Sequence, residues 1–469
     1  MIYSVLTSLA FGTLSLVASE SVNHCTGDCL RSEKPHDPPI MATKGNMARK
    51  ETFWTHMKMD NKMGVAPSSA GEKCVDGKAG EYACSGVDLA SMISLKNLGC
   101  GGDGSDMWGW TDAESNEYAL ATCEDGTSFV DVTDPYAPVV LGFLPTNTVK
   151  SWWFDTKVYK DYAYIGSEAF NHGVSVFDLS HLTALSKEYR ASPAYLKTAS
   201  RRNVTTEGHV NLQNILQPTM VYKEVGSSHN IVINEATGYM YIVGSKTCDG
   251  GLHIVDVRDP ANPQFVGCYS DDGYVHDAEC VVYTGPDTRF SQHEICFCYN
   301  EDTLTIVDVT DKNAMRMLSR QSYVGAAYTH QGSLNPGMSH LFLNDELDEE
   351  EEAELDGHTR SMIWDVSKLD MPTLVGDYFS SAKSIDHNEY IHDNVSWQSN
   401  YCAGLRVLDA RYMDQGTTSE IAYFDVSPEC DTAVFMGAWS SYPFWKSGTV
   451  GVNSIERGLF LLKPTFTLE

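Results

Sequence analysis

Short runs of alternating apolar and polar residues fill most of this chain, and they predict β-strands separated by tight turns. The clearest unit joins an apolar-Asp-apolar strand to a turn rich in Asp, Asn and Pro and then to a second strand. Its best copies are FVDVTDPYAPVVLG at 129–142, IVDVRDPANPQFVG at 254–267 and IVDVTDKNAMRMLS at 306–319. Looser copies begin at Val176, Ile363 and Arg406, and a last one, without the Asp, begins at Gly458. The pattern therefore indicates a repeat protein built from strands.

A second pair of strands precedes these units, as in SHNIVINEATGYMYIVG at 228–244. Four strands per unit and seven units of roughly fifty residues are typical of a β-propeller. We therefore predict an all-β fold with seven four-stranded blades over residues 85–465. A pair of β-sandwiches is the alternative, which this period does not favour. Because an open sheet edge invites aggregation, we expect an N-terminal strand within 87–99 to close the last blade.

The first part of the chain has no such repeat. Residues 1–19 form an apolar run ending in Val17-Ala18-Ser19, which fits a cleaved signal peptide, with a short membrane anchor as the alternative. No later stretch is long and apolar enough to cross a bilayer. We predict a secreted or cell-surface protein without a transmembrane segment after signal cleavage. Residues 20–84 follow as a lead segment, expected to be extended and to contain a disulfide.

The 13 cysteines agree with an oxidising compartment. The expected disulfides are Cys74 with Cys84, Cys248 with Cys268, Cys402 with Cys430, Cys25 with Cys29, Cys100 with Cys123, and Cys280 with either Cys296 or Cys298. An odd total leaves at least one thiol without an intramolecular partner. Sequons at Asn203 and Asn394 predict N-linked glycans.

The formal net charge is −30, which argues against nucleic acid and anionic membranes as partners because like charges repel. Much of the excess lies in DELDEEEEAELD at 345–356. We interpret this run as a solvated loop, and a site that attracts calcium is the alternative.

Four histidines recur where the first strand of successive units begins. They are His229, His276, His330 and His387, each followed by Asn, Asp or Gln. The second unit has Asp155 at the matching point, and the first and last have aromatic residues instead, namely Trp108, Trp110, Trp439 and Tyr442. If the first strands line the channel of the propeller, one arc of its mouth holds imidazoles and a carboxylate, and the other arc is an aromatic wall for a substrate.

Imidazole binds Zn, Fe and Cu, so the four histidines are candidate metal ligands. Acids that hold the second ring nitrogen, or that add a ligand, are expected nearby, and the candidates are Asp155, Glu279, Asp386 and Glu389. The side chain after each histidine points to the opposite face of its strand and should brace a neighbouring blade. Two alternatives stay open: hydrogen bonds between blades inherited from one ancestral repeat, and a polar channel that senses pH or contacts substrate.

Other polar residues carry less functional weight. We interpret His172, His253, His293 and His392 as ordinary surface or turn residues. The repeated Asp131, Asp178, Asp256, Asp308 and Asp365 are expected to accept hydrogen bonds from turn amides. No motif pairs a Ser or Cys nucleophile with the histidines, so hydrolysis by such a triad is unsupported.

The segments MWGWTD, SSHN, DPANPQFVGC, YVHDAEC, NEDTLTIVDVTDK, YTHQG, SIDHN and IERGLFLL resemble the choice-of-anchor B family, whose strands carry LVIVD repeats. The resemblance covers about residue 74 to the end. It implies an extracellular or surface β-propeller and brings no established reaction or ligand. The chain stops at Glu469 without the anchoring tail of many relatives, which implies secretion.

Two functions are compatible with these features. The first is a binding module that interacts with an extracellular protein, a glycan or a small organic ligand, and that carries a histidine-lined metal site. The alternative is a metal-dependent enzyme, an oxidoreductase or hydrolase, that uses the four histidines.

Overall fold

The computed structural model describes residues 41–59, 68–192, 209–210 and 214–468. The predicted signal peptide, the Cys25–Cys29 pair and the Asn203 sequon lie outside these residues. The described elements before the ring are α1 (Met41–Met59), β1 (Ser69–Glu72), β2 (Lys78–Ala79), β3 (Tyr82–Ser85), β4 (Val87–Ser94) and α2 (Leu95–Leu98).

Seven antiparallel sheets follow one another along the chain. Blade 1 contains β5 (Gly104–Thr111), β6 (Glu117–Cys123), β7 (Gly126–Asp131) and β8 (Val139–Pro145). Blade 2 contains β9 (Phe154–Tyr159), β10 (Tyr162–Ser167), β11 (Val174–Asp178) and β13 (Met220–Tyr222). Between β11 and β13 the chain forms α3 (Ser180–Arg190) and β12 (His209–Val210), and β12 pairs in parallel with β8 at the edge of blade 1. Blade 3 contains β14 (Asn230–Asn234), β15 (Tyr239–Val243), β16 (Leu252–Asp256) and β17 (Gln264–Tyr269). Blade 4 contains β18 (Asp277–Val282), β19 (Glu294–Tyr299), β20 (Leu304–Asp308) and β21 (Arg316–Gln321).

The remaining blades complete the ring. Blade 5 contains β22 (Thr329–Leu334), β23 (His340–Asp345), β24 (His358–Asp365) and β25 (Thr373–Lys383), with α4 (Asp348–Glu351) between β23 and β24. Blade 6 contains β26 (Asn388–His392), β27 (Val395–Asn400), β28 (Gly404–Asp409) and β29 (Glu420–Phe424). Blade 7 contains β30 (Ala438–Tyr442), β31 (Val450–Ser454) and β32 (Gly458–Pro464), to which β4 is added. The predicted seven-bladed propeller is confirmed.

The ring closes as the sequence predicts. Strand β4 pairs antiparallel with β32, with Met92 opposite Phe460, and so becomes the fourth strand of blade 7. Strand β1 extends the same sheet, whereas the β2–β3 hairpin extends blade 6 through the pairing of Ser85 with Tyr423. The N-terminal segment therefore covers the outer edges of two adjacent blades, which an open ring would expose.

The repeated aspartates have the predicted structural role. Each one follows an apolar strand, and one carboxylate oxygen accepts a hydrogen bond from the amide two residues later. The pairs are Asp131 with Thr133, Asp178 with Ser180, Asp256 with Arg258, Asp308 with Thr310 and Asp365 with Ser367. This Asx geometry starts the turn that separates the third and fourth strands of a blade.

Helix α1 was not predicted, because the lead segment was expected to be extended. Its buried face consists of Asn46, Lys50 and Trp54, which are four residues apart and therefore lie above one another on a helix. Two of these three side chains are polar, so the helix produces no apolar period in the sequence.

Five disulfides are formed among the described residues. They are Cys74–Cys84, Cys100–Cys123, Cys248–Cys268, Cys280–Cys296 and Cys402–Cys430. Cys280 pairs with Cys296, one of the two partners that the sequence left open, and Cys298 is a buried free thiol. Among the described residues, no helix has the length and apolar character needed to cross a membrane.

Candidate functional site

The four predicted histidines lie side by side at one end of the channel. Their ring centroids are 4.3 Å apart between His229 and His276, 4.3 Å between His276 and His330, and 4.4 Å between His330 and His387. Each residue precedes or begins the innermost strand of blades 3 to 6. The repeat therefore brings the imidazoles together in an arc, which we call the histidine end of the channel.

The four rings do not converge on one point. Among the described residues, the only three metal-ligating side chains with ligand atoms within 4.8 Å of one another are His330, His387 and Glu346. Glu346 was not predicted as a ligand, because the sequence placed it in an acidic loop. The described site is therefore two histidines and a buried carboxylate, with His276 and His229 further along the arc.

Backbone carbonyls fix the tautomer of two of the rings. Nδ1–H of His276 donates to the carbonyl oxygen of His330 at 2.9 Å, and Nδ1–H of His387 donates to that of Trp439 at 2.6 Å. Because a carbonyl only accepts, Nδ1 carries the proton and Nε2 keeps its lone pair. Nε2 of His387 lies 3.5 Å from Glu346 Oε1, and Nε2 of His330 lies 3.9 Å from Glu346 Oε2.

Burial keeps the imidazoles of His276, His330 and His387 neutral. It is the main cause that lowers the pKa of His387 to about 4 and the pKa values of His276 and His330 well below the usual value. Neighbouring histidines and Lys50 lower the pKa values of His276 and His330 further. Neutral imidazole is the form that binds a metal ion, so proton competition at neutral pH is weak.

Helix α1 covers the histidine end with a lysine. Lys50 Nζ donates a short hydrogen bond to Glu346 Oε1, and only 4% of its side chain is exposed. The hydroxyl of Tyr401 donates to the same oxygen at 2.7 Å. Burial raises the pKa of Glu346, but the charge of Lys50 and the hydrogen bonds from Lys50 and Tyr401 outweigh it and hold that pKa below its usual value.

Aromatic packing anchors the same helix. Trp54 is 1% exposed, and its ring centroid lies 5.4 Å from that of Trp152, 5.8 Å from that of Trp153 and 5.8 Å from that of Trp439. Its Nε1–H donates to the carbonyl oxygen of Phe435 at 2.7 Å. The lead segment is therefore part of the site and closes this end of the channel.

The predicted bracing between blades is present. Asn230 Nδ2 donates to the carbonyl oxygen of His276 at 3.0 Å, and Gln331 Oε1 accepts from the Glu389 amide at 2.5 Å. Asp155 Oδ2 accepts from the amide of Ile231 at 2.6 Å in the same way. In blade 2, Asp155 therefore corresponds to the residue that follows the histidine in blades 3 to 6, and Phe154 corresponds to the histidine itself. The sequence predicted Asp155 at the histidine position.

Among the described residues, none of the four acids that were predicted to support the histidines forms a hydrogen bond with one of their rings. Glu279 Oε2 accepts from the Leu334 amide at 2.8 Å, and Glu389 Oε2 accepts from Ser396 and Gln398. Both oxygens of Asp386 are buried without a hydrogen-bond partner. Nδ1 of His276 and Nδ1 of His387 bond backbone carbonyls instead, and His229 Nδ1 lies 3.1 Å from Glu168 Oε1. Nδ1 of His330 is buried without a hydrogen-bond partner among the described residues.

The acidic run is solvated only in its second half. Asp345, Glu346, Asp348 and Glu349 are buried, whereas Glu350–Glu354 and Asp356 are exposed. Burial, followed by the charge of nearby Asp345, raises the pKa of Asp348 to about 8. The interpretation of His253 as a surface or turn residue is also wrong, since it is 3% exposed and lies within β16, whereas His172 lies in the turn between β10 and β11 but is 1% exposed. His253 Nε2 lies 2.8 Å from the Tyr222 hydroxyl, in the core.

The four predicted aromatic residues do not form one wall. Trp439 lies at the histidine end, 5.1 Å from the ring of His387. Trp110 packs on Tyr118 at 4.9 Å in the core between blades. Trp108 and Tyr442 contact each other at 5.2 Å, further down the channel.

The opposite half of the channel contains a cavity of about 470 Å³. Its lining comes from the innermost strands of several blades and includes Trp108, Lys157, Asp277, Glu279, Gln331, Tyr390 and Phe444. Asp277 therefore lines this central cavity, although the sequence placed it on the bracing face.

A comparison with known protein families agrees with the repeat. The model of the LVIVD repeat matches residues 225–271, which span blade 3, where β16 reads LHIVD. A solved structure titled "Structure of U3-55K" is 9% identical, with a TM-score of 0.48, over 78% of this chain and 96% of that chain. No curated protein matches the chain.

Proposed function

We propose that this protein is a secreted binding propeller that presents its faces and loops to an extracellular protein or glycan, and that holds a transition metal ion at the histidine end. The LVIVD repeat and the propeller support an interaction module. The metal ligands in this proposal are His330, Glu346 and His387. The observation that carries it is the closeness of their ligand atoms, within 4.8 Å of one another.

The chemistry of this group suits zinc or iron better than calcium. Two neutral imidazoles with one carboxylate form a common ligand set for these metals, and further positions remain for another ligand. His276, next to His330 in the arc, is the nearest further imidazole. Lys50 is the competitor, because its ammonium group already bonds Glu346.

A metal-dependent enzyme is the second candidate, and α1 weighs against it. A substrate has to reach the metal, yet Lys50 and Trp54 close this side of the channel. The cavity lies on the other side of the imidazoles. Catalysis at the histidine end would therefore require α1 to leave its position.

Metal binding tests the proposal directly. We expect protein without a polyhistidine tag to bind about one equivalent of Zn²⁺, or of Co²⁺ with visible absorption bands, in equilibrium dialysis. The double variant His330→Gln/His387→Gln should lose this metal, because glutamine replaces both ring nitrogens by a poor ligand. His253→Gln is the matched control, since it changes a buried histidine outside the group.

Less than about a tenth of an equivalent in both the native protein and Lys50→Met would contradict the metal proposal. In that case the histidines and Glu346 act as the anchor of α1. Equal binding by the native protein and the double variant would also contradict it, because the metal would then lie elsewhere.

Secretion has independent support in the described residues. Five disulfides fit an oxidising compartment. Asn394 is exposed in the turn between β26 and β27, where a glycan has room. Mass spectrometry of protein from the culture medium should find an N-terminus near residue 20 and a glycan on Asn394; intracellular retention of the whole chain would contradict secretion.

Calcium at 345–356 stays a proposal with weaker geometric support. Asp348 and Asp386 have buried oxygens without hydrogen-bond partners, which a cation would satisfy. However, the described acids of this run do not meet in a compact group of ligand atoms apart from Glu346. Calcium therefore ranks behind a transition metal.

A further inference from the structure

The central cavity has the size and enclosure of a small-molecule site. Its volume of about 470 Å³ lies in the range of ligand pockets. It is lined from the middle of the innermost strands to their far ends, including Glu235 and Ala236 of the β14–β15 turn and Val282 at the end of β18. It therefore lies on the side of the channel away from the histidines.

One wall is aromatic and apolar. Trp108, Tyr390 and Phe444 form a cluster with ring centroids 5.4 to 5.9 Å apart, and all three are half-buried. Val158, Ile231 and Ile391 add aliphatic surface. The Nζ atom of Lys157 lies 4.8 Å from the ring centroid of Trp108. Tyr390 and Phe444 therefore offer the π faces for a cationic ligand, and all three rings offer apolar surface for its body.

The opposite wall carries two carboxylates without a cation. Asp277 and Glu279 lie two residues apart on β18 and both line the cavity. Neither makes an ion pair with a described residue. The nearby ammonium of Lys157 is already neutralised, since Nζ lies 2.6 Å from Asp155 Oδ1 and 3.7 Å from Asp106 Oδ2. The cavity therefore has more acidic than basic side chains, and a bound cation would favour the ionised form of Glu279, whose pKa burial raises to about 7.

The acidic side chains of the cavity do not form a site for a bare metal ion. In the described part of the chain the only compact group of three metal-ligating side chains is that at the histidine end, so no third ligand completes a metal site with Asp277 and Glu279. An organic cation fits better, because its charged group can reach a carboxylate while its body contacts the aromatic wall.

We infer that the central cavity binds a small organic cation, a protonated amine with an apolar or aromatic body, whose ammonium group is held by Asp277 and Glu279 and whose body packs on Trp108, Tyr390 and Phe444. This site is separate from the proposed metal group. It uses the end of the channel that α1 leaves uncovered.

Matched pairs of probes test the charge preference. Tryptamine and phenethylamine each have a carboxylate counterpart of equal chain length, indole-3-propionate and 3-phenylpropionate. In calorimetric titrations of the full protein we expect at least one amine to bind in the millimolar range or tighter, and at least about tenfold tighter than its carboxylate counterpart.

Variants then locate the binding. Asp277→Asn/Glu279→Gln should weaken amine binding about tenfold or more and remove the preference over the carboxylate. The amide oxygen of Gln can still accept the hydrogen bond from Leu334, so the fold should survive. Glu188→Gln/Asp414→Asn is the control, because it removes the same charge from exposed positions. Phe444→Leu should weaken binding about threefold or more.

Three results would overturn the inference. One is the absence of binding by both amines at about 10 mM. Another is equal binding of an amine and its carboxylate counterpart. The third is an equal loss of amine affinity in the charge-matched control, since the cavity acids would then not select the cation. None of these results bears on metal binding at the histidine end, which Co²⁺ absorption reports separately.

Discussion

Lys50 is the residue on which the chemistry of the histidine end depends. Its ammonium group is buried against Glu346 and lies 5.4 Å from the ring of Phe435 and 5.9 Å from that of Trp439. In this position it supplies the positive charge that a metal ion would supply. Charge neutralisation of Glu346 therefore has two alternative sources, the lysine or a metal.

Lys50→Met removes this competitor while keeping the length and apolar stem of the side chain. Without metal, the buried Glu346 loses its partner, so we expect the variant to be less stable by about 3 kcal/mol or more. Zn²⁺ affinity should rise at least about tenfold, because the repulsion of a nearby ammonium disappears. Thermal unfolding with and without Zn²⁺ measures both effects.

Lys58→Met is the control for the previous variant. Lys58 lies on the same helix but pairs with Asp103 and Glu124 rather than Glu346. If both lysine variants bind Zn²⁺ with the affinity of the native protein, Lys50 does not compete with a metal.

At this scale the sequence predicted the histidines but not their partners. Position within a repeat identified the four histidines, because equal places in equal blades are adjacent around the ring. Glu346 lies beyond the end of β23, and Lys50 comes from outside the repeats, so no period places either residue at the channel. Both are brought there by tertiary contacts that a repeat pattern does not encode.

Among the elements, α1 depends on the contacts of its buried side more than on its own helix propensity. The buried Asn46, Lys50 and Trp54 face the propeller, and the Trp54 ring packs against three other tryptophan rings. Nineteen residues are enough for a helix, but such helices in water are marginal without tertiary contacts. The docking of α1 therefore depends on Trp54.

Trp54→Ala should release α1 without unfolding the ring. Removal of a buried Trp costs about 3 to 5 kcal/mol, so amide hydrogen exchange within α1 should become at least about a hundredfold faster. Exchange in the blades should not change. His56→Ala, at an exposed position of the same helix, serves as the control. Unchanged exchange in α1 would show that Trp54 does not anchor it.

The blade strands were predictable and α1 was not, for the same reason. A strand that is buried in a sheet shows its apolar run and its turn residues in the sequence, as IVDVRDPANPQFVG does. A helix with a partly polar buried face shows neither. The only local signal is the spacing of four between Asn46, Lys50 and Trp54, which has no meaning until the polar partners are known.

For the whole molecule, buried acids determine how stability depends on pH. Burial is the main cause that raises the pKa of Asp425 to about 6, of Glu279 to about 7 and of Glu456 to about 8. Each of these groups binds a proton more tightly in the folded than in the unfolded protein. Their contribution is fully present below an unfolded pKa of about 4 and is lost as the pH rises through 6 to 8.

The buried His276, His330 and His387 act in the opposite direction below about pH 6.5, because the unfolded protein then binds protons that the folded protein excludes. We therefore expect the melting temperature to be highest near pH 6.5 and to fall by about 5 °C or more between pH 6.5 and pH 8.5. Repulsion within a chain of formal charge −30 acts in the same direction. Calorimetry in buffers of equal ionic strength measures the change. Glu456→Gln should reduce the slope, because one of the titrating groups is then absent. A melting temperature that rises steadily to pH 8.5 would contradict this account.

The central claim is that a metal ion binds between His330, Glu346 and His387, at the end of the channel that α1 covers. Crystals of the protein grown with Zn²⁺ and measured at the zinc absorption edge test it most directly. The account predicts one strong anomalous peak about 2.0 to 2.3 Å from Nε2 of His330, Nε2 of His387 and a carboxylate oxygen of Glu346, with Lys50 Nζ displaced. A zinc-saturated crystal without a peak there, and with Lys50 still bonded to Glu346, would contradict it.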